Sequence, residues 1–561
     1  MAPRRNGLLA GATAIFVAIS CFIQPASAVK IMIVGDSITH GTEGDYTWRY
    51  RLWQLLAGQG LDFEFVGPYM GTKTPATFSR EGPPRFEGES APPEPLQVTG
   101  YYALDIDPRM QMHHYSYWGR QVAQHMNTIY QEVAKFQPDI LLVELGFNDL
   151  GWFVSGPEGT LQSMKTFVDN ARRANPNIKF AIANVPQRTF IDGRKDLPVI
   201  TAQYNGMLAR AIPQWRNGQS PIVLVDFRHG YTCKSMQRVS YDGLHPNARG
   251  EYEIARVFGA ALQKFGVGSR ELIIPTNIPP RRCVIPANIR AQSSPAGITV
   301  TWDTAYGAFG YKYRSRNVGS GDWEEPWYSW PSNQLESGWV LEGQEIEYQV
   351  RSICGENYYS DWTAVVSARA TPQNQGIAGP PADSVRIVPT DDGFTMSWAA
   401  PPGVAVERYG LLHFDTDTYH AFLNKFGVAG TSHTVRGLKR GNRYAVAVEA
   451  WTTGGVATLP SGARGVIPGG GRPGRPTNLR IVARDGVTVR INFDAVPGAA
   501  GYQLYTRNVN QAGSVLVADP FSRRSNCYGV TFLFPGAWNF EYCLMAYNGN
   551  LESDMSCIMG P

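Results

Sequence analysis

Three short polar turns in the first half of the chain carry residue types able to do nucleophilic chemistry. They are Gly35-Asp36-Ser37-Ile38-Thr39-His40-Gly41, Gly146-Phe147-Asn148-Asp149 and Asp242-Gly243-Leu244-His245-Pro246. A serine hydroxyl becomes an effective nucleophile when a base takes its proton and a carboxylate orients that base. Asp242 and His245, three residues apart on one tight turn, supply both. Each turn also has a plain structural reading: Ser37 as a turn or helix-capping serine, and Asp242 with His245 as a capped helix start. The first two turns follow apolar strands and the third precedes the last helix, so all three are placed where open α/β sheets build their sites.

Neighbouring residues carry weaker signals. His40 reads as a variable loop residue rather than a second base, and Asp36 as a turn or buried hydrogen-bonding residue. His113-His114 has no spaced Cys or acidic partner, so no metal is expected there. Trp118, Trp152 and Phe153 flank the turns in sequence and are either a sugar-stacking wall or ordinary core.

The elements that must hold these turns are legible from residue 29 to about 266. Buried-strand runs at Lys30–Val34, Asp62–Val66, Asp139–Leu145, Ile178–Asn184 and Pro221–Val225 alternate with helical patterns. Those lie around Trp48–Leu56, Gly119–Lys135, Leu161–Ala174, Ile200–Trp215 and Ala248–Phe265. Continuous apolar strands separated by amphipathic helices predict a three-layer α/β sandwich with a parallel five-stranded, flavodoxin-like sheet. Tyr69–Tyr115 breaks the rhythm; it is rich in Pro, Gly and charge and reads as a long loop, either functional or a simple insertion.

After Gly266 the helical period disappears and short alternating segments recur. Ile298-Thr-Val-Thr-Trp302 matches Phe394-Thr-Met-Ser-Trp398, and Val487-Thr-Val-Arg-Ile-Asn-Phe493 follows, at offsets of 96 and 95 residues. A later landmark keeps step: Tyr348-Gln-Val-Arg-Ser352, Val446-Ala-Val-Glu-Ala450 and Tyr542-Cys-Leu-Met-Ala546. A repeat of that length, with alternating strands and one buried aromatic, predicts three all-β, immunoglobulin-like sandwiches. They resemble fibronectin type III domains, the third departing with Phe493 in place of Trp. The expected boundaries are 283–372, 381–468 and 475–561, after an α/β head at 29–266 and a linker at 267–282.

The head resembles the GDSL/SGNH hydrolase superfamily, through G-D-S-x-x-x-G at Gly35–Gly41, G-x-N-D at Gly146–Asp149 and D-x-x-H at Asp242–His245, in that order. The resemblance implies Ser37 as nucleophile, His245 as general base and then acid, and Asp242 as its orienting partner. It implies an oxyanion hole made by the Ser37 backbone N–H, the Asn148 side-chain N–H and one backbone N–H from Tyr115-Ser116-Tyr117-Trp118-Gly119. That last donor is Gly119 or Tyr117; related acetyl xylan esterases carry Gly where this chain has Tyr117. Trp118 and Trp152 are the candidate substrate-binding residues. No metal or cofactor is required for this chemistry.

Composition narrows the function classes. The 561 residues are 43% apolar and 17% charged, with 51 Lys+Arg against 47 Asp+Glu for a net charge of +4. That excludes a disordered scaffold and speaks against a nucleic-acid partner. Arg4-Arg5, the apolar run Leu8–Ile23 and Pro25-Ala26-Ser27-Ala28 predict a signal peptide over residues 1–28, giving a secreted, extracellular protein that leaves no membrane anchor after cleavage. The six cysteines beyond it (Cys233, Cys283, Cys354, Cys527, Cys543 and Cys557) are an even count compatible with disulfides of open pairing.

The head itself carries 24 Lys+Arg and 23 Asp+Glu, no electrostatic hold for a polyanion. The expected protein is therefore a monomeric secreted serine esterase removing short acyl groups, acetyl foremost, from an extracellular polysaccharide. Two alternatives stay open: a secreted lipase or phospholipase of the same superfamily, and a carbohydrate-binding or adhesion protein with an inactive hydrolase-like head. The sandwiches are spacers or binders.

Overall fold

The structure, a computed structural model, describes residues 28–79, 82–90, 100–188, 194–231, 239–294, 297–337, 340–371, 377–418, 421–484, 488–519, 522–531 and 539–560. The expected leader lies outside these residues apart from Ala28, as does Cys233.

The head is built on β1 (Val29–Gly35), whose Ile31–Val34 are wholly buried. β1 is followed by α1 (Ser37–His40), α2 (Thr47–Ala57), β2 (Phe63–Val66), β3 (Tyr69–Met70) and β4 (His113–Ser116). Next come α3 (Val122–Phe136), β5 (Ile140–Glu144), α4 (Phe147–Gly151), α5 (Pro157–Ala174) and β6 (Lys179–Ala183). The head closes with α6 (Leu197–Trp215), β7 (Ile222–Val225), α7 (Phe227–Gly230) and α8 (Ala248–Gln263).

Strands β2-β1-β5-β6-β7 run parallel in that order. With no polar face, such strands must be covered on both sides. α2 packs with α8, while α3, α5 and α6 pack in series. The buried positions of α3 (Val122, His125, Ile129, Val133) fall at three- and four-residue spacing, one stripe of a helix. Gly259 lets α8 approach α2 closely: a Cβ there would sit 2.8 Å from Leu55 Cδ2.

The sheet is wider and less uniform than the parallel five-stranded one expected. It has seven strands and is mixed, because the Tyr69–Tyr115 segment contributes two. β2 ends opposite Met32, leaving the last residues of β1 with an open edge; β4 takes it, pairing Tyr115 with Val34 and Ser116 with Gly35 in parallel. β3 then runs antiparallel to β4. Backbone N–H and C=O groups of a buried strand need partners, and these short pieces supply them without any alternating pattern in the sequence.

Each of the three later units is a pair of antiparallel sheets. In the first, Arg290–Ser294, Gly297–Thr301 and Gln334–Ser337 face Gly310–Asn317, Glu345–Gly355, Tyr358–Tyr359 and Val366–Arg369. The second and third units repeat this three-against-four or three-against-five arrangement. The aromatic repeat is the core landmark: Trp302 meets Tyr311, Trp398 meets Tyr409 and Phe493 meets Tyr502, all edge to face at 4.7–5.2 Å. Phe493 thus fills the tryptophan's role. Disulfides join Cys283 to Cys354 and Cys543 to Cys557, and Cys527 has no partner among the described residues.

The head and the sandwiches touch. Arg281 of the 267–282 segment pairs with Asp45 at 2.7 Å, and the Tyr306 hydroxyl donates to the Tyr102 carbonyl. His433 of the second sandwich lies 3.0 Å from Glu87, and Gly427 pairs with Phe86.

Candidate active site

The strand-to-helix turn after β1 is shaped by its own residues. A Cβ on Gly35 would lie 2.3 Å from Thr39 Oγ1, so only glycine lets α1 fold back this tightly. Asp36 Oδ1 accepts from the Ile38 N–H at 2.9 Å and caps the turn. Ser37 is the first residue of α1, so its backbone N–H has no intrahelical acceptor. Arg49, which the motifs do not flag, anchors the other end. This fully buried side chain donates to the carbonyls of Thr39, His40 and Gly71 at 2.8–2.9 Å.

The Asp242–His245 turn arrives from the far end of the domain. Asp242 Oδ1 accepts from the backbone N–H groups of Leu244 and His245, at 3.0 and 2.8 Å, which fixes the carboxylate's orientation. Its other oxygen lies 2.6 Å from His245 Nδ1, and His245 Nε2 lies 2.8 Å from Ser37 Oγ. A carboxylate can only accept, so Nδ1 carries the imidazole proton and Nε2 is left to receive the serine's. Burial pushes the Asp242 carboxyl up, but the His245 charge and the bonds from His245 and Leu244 outweigh it and hold the group at about 2. Asn247, two residues on, caps α8 through Arg249 and Gly250 and locks the turn's exit.

Asn148 sits on α4, at the carboxyl end of β5. Its Nδ2 donates to Asp36 Oδ2 at 3.2 Å and to the Arg120 carbonyl at 2.9 Å, while its Oδ1 accepts from Trp152 Nε1 at 2.8 Å. Asp149 accepts from the N–H groups of Val122 and Ala123, so the G-x-N-D turn also holds the start of α3.

Between them runs the 117–120 turn. The Tyr117 N–H is committed to the Gly35 carbonyl at 3.1 Å. Gly119, at φ +76° and with open space where a Cβ would stand, has an N–H with no acceptor among the described residues. Of the two candidates for the third donor, the structure leaves Gly119 available.

The aromatic candidates separate. Trp118 is half-buried and stacked on the His245 imidazole, centroids 4.6 Å apart, with its Nε1 on the Gly41 carbonyl and Lys73 Nζ 3.9 Å over its ring. Trp152 is 47% exposed while holding Asn148, and Phe153 lies under Arg194. A cleft of about 550 Å³ opens between the head and the first sandwich, lined by Asp45, Tyr241, Glu251, Arg281, Phe309 and Tyr358; none of Ser37, Asp242 and His245 lines it.

Other polar groups are accounted for. Burial, with Arg49 and Lys73 nearby, drops His40 to about 3, so it is neutral at working pH and unsuited to taking a second proton role. Both ring nitrogens of His114 are engaged, by Ser116 and by the Gly71 carbonyl. Among the described residues the one cluster of metal-type donors is Glu541 with Cys543 and Cys557, whose sulfurs are bonded to each other.

Beneath the serine lies a pair of buried carboxyls. Glu144, at the end of β5, accepts from Thr39 Oγ1 at 2.8 Å and is held well above the usual carboxylate range by burial and then by the Asp36 charge. Burial likewise raises Asp36 to about 6, despite the Ile38 bond that favours its anion. A carboxyl whose folded value exceeds its unfolded one contributes most below the unfolded value, and that contribution is lost as pH rises through the folded one. Asp36→Asn should therefore gain stability relative to the parent as pH rises from about 4 to about 6 and show a constant difference above that. Urea midpoints across that range check it; parallel curves would contradict it.

The GDSL-like lipase/acylhydrolase family model matches residues 31–258. No curated protein sequence matches the chain. Similar solved structures include a family 3 carbohydrate esterase from Talaromyces cellulolyticus, 24% identical over 42% of this chain and 97% of that one, TM-score 0.32. A family 3 carbohydrate esterase from Clostridium thermocellum is 19% identical over 43% of this chain and 100% of that one, TM-score 0.29. A two-domain fibronectin type III segment of chicken tenascin is 16% identical over 33% and 99%, TM-score 0.15. Residues 31–258, with their three motif turns gathered at one edge of the sheet, match the GDSL-like lipase/acylhydrolase family model and form the head of an ester-bond hydrolase.

Proposed function

We propose that this protein is a secreted serine esterase that removes short acyl groups, acetyl foremost, from a neutral extracellular polysaccharide. The observation that carries the reading is the relay from Ser37 Oγ through His245 to Asp242, at 2.8 and 2.6 Å. His245 Nε2 takes the serine proton as Oγ attacks the ester carbonyl carbon, and Asp242 stabilises the imidazolium that results. The carbonyl oxygen becomes an anion beside the N–H groups of Ser37 and Gly119 and the Asn148 amide. Donors fixed before reaction stabilise that charge without reorganising. His245 returns the proton to the leaving alcohol oxygen, the acyl group stays on Ser37, and water activated by the same imidazole releases it as the acid.

Asn148 donates to Asp36 and Arg120 in the resting arrangement. A developing oxyanion, carrying a full charge, is the better acceptor than the long 3.2 Å partner, so the amide turns or bifurcates toward it. The substrate class is supported by the balanced charge of the head and by exposed aromatics of the kind that stack on sugar faces, Trp152 and the 92% exposed Trp327 of the first sandwich. The two disulfides fit an oxidising compartment.

Two measurements test the reading. Ser37→Ala should lower kcat on nitrophenyl acetate and acetate release from acetylated xylan by roughly 10⁴-fold or more, with the fold intact by circular dichroism. Undiminished turnover in that variant overturns the serine mechanism, and a parent that prefers long-chain esters shifts the assignment to a lipase. Asn148→Ala should cost on the order of 10²–10³ in kcat with KM little changed. A change confined to KM would remove Asn148 from the oxyanion hole.

A further inference from the structure

The first sandwich reaches the catalytic histidine. Phe309 immediately precedes the strand Gly310–Asn317 and stacks on Tyr241 of the head, with centroids 3.7 Å apart and planes 15° from parallel. Tyr241 lies 5.7 Å from the His245 ring at 19°, and Trp118 lies 4.6 Å from the same ring at 18°. Phe309, Tyr241, His245 and Trp118 thus form a series of four near-parallel rings that crosses a domain boundary. Cations close both ends: Arg281 Cζ is 3.9 Å over Phe309, and Lys73 Nζ is 3.9 Å over Trp118.

An imidazole needs more than its hydrogen bonds to stay aimed. The contact to Asp242 fixes where Nδ1 sits but leaves the ring free to tilt about that bond, and tilting swings Nε2 away from Ser37 Oγ. Neighbours stacked on the ring remove that freedom. Trp118 is itself held by the Gly41 carbonyl. Tyr241 is held by its backbone N–H on the His245 carbonyl and, at its ring, by Phe309.

Phe309 is in turn fixed from both sides of the interface. Its N–H donates to the Ile353 carbonyl at 2.8 Å inside the sandwich. Arg281, which covers it, pairs with Asp45 while also donating to the Glu43 carbonyl, and both charged side chains are nearly buried, at 10% and 13% exposed. Tyr306, three residues before Phe309, donates to the Tyr102 carbonyl of the head at 2.5 Å. The Cys283–Cys354 disulfide ties the segment just after Arg281 to the strand that carries Ile353.

We propose that Phe309 is a positioning residue for His245, acting through Tyr241, and that the first sandwich is consequently part of the catalytic unit rather than a spacer or a separate binding module. The proposal rests on the reading of His245 as the general base. It makes the esterase head dependent on a residue that its own family motifs do not contain.

The test uses the full chain with Phe309 changed to Ala, Leu, Tyr and Trp, assayed on nitrophenyl acetate well below the melting temperature. Phe309→Ala and Phe309→Leu should lower kcat by roughly ten-fold or more, because a small misplacement of a reacting group carries a large rate penalty. KM should stay within about two-fold, since the ring does not touch substrate. The rate at which a fluorophosphonate labels Ser37 should fall in parallel. Phe309→Tyr and Phe309→Trp, which keep a flat face, should restore most of the rate. Leu matching the parent would show that filling the space suffices, and an unchanged Ala variant would show that the stack is idle; either overturns the proposal. Loss shared equally by all four variants, or tracking the unfolded fraction, also overturns it. If Ser37→Ala remains active, the fault lies instead with the esterase reading.

Discussion

In the proposed mechanism, proton transfer from Ser37 to His245 depends on a 2.8 Å contact between residues 208 positions apart in the chain. Bringing and keeping them there is the constraint the rest of the head answers to. The parallel strands supply a rigid edge where β1 and β5 end side by side, placing Ser37 and Asn148 on adjacent turns. The chain then returns through β6 and β7 before α8, and the Asp242–His245 turn is pinned at both ends, by Asp242's bonds to its own turn and by the Asn247 cap. Gly35 allows a helix turn to begin without a clash, and Arg49 holds that turn's last carbonyls. None of these residues reacts, yet each removes a freedom that would lengthen the contact.

Under the turn, the head keeps buried polar groups where an apolar core would fold more simply. Asp36, Glu144, Thr39 and Asn148 form a connected set: Asn148 donates to Asp36, Thr39 donates to Glu144, and the two carboxyls meet each other. Such networks are costly when partly satisfied and specify a single arrangement when filled. This one links the Ser37 turn to the Asn148 amide, since Asp36 both caps α1 and accepts from Asn148. The interface with the first sandwich extends the same logic outward, from hydrogen bonds around Nδ1 and Nε2 to ring faces that set the imidazole's tilt.

Legibility in the sequence followed the physics of each feature. Long apolar strands and amphipathic helices leave strong periodic patterns, so the five parallel strands and the main helices of the head are visible in the sequence. β3 and β4, of two and four residues, leave none, and the sheet expected from the sequence is two strands short. The motif residues Ser37, Asn148, Asp242 and His245 stood out because few residue types can serve in such turns. Arg49, Glu144 and Phe309 did not, because a buried arginine, a buried carboxyl and a stacking ring are recognisable only from what surrounds them. That the Tyr117 N–H is already used follows from the β1–β4 register, which a sequence pattern of four residues does not reveal. For Trp118 the sequence leaves a sugar-stacking residue or core open; its stacking on His245 is a matter of direction that composition does not carry.

The central claim is that Ser37 carries the acyl group between two half-reactions. Intact-protein mass spectrometry after rapid acid quench of the full chain with excess nitrophenyl acetate tests it most directly. A mass gain of one acetyl group, mapped by peptide sequencing to Ser37 and absent from Ser37→Ala, is the predicted result. Turnover that proceeds with no acylated serine, or with the acetyl group on another residue, would contradict it.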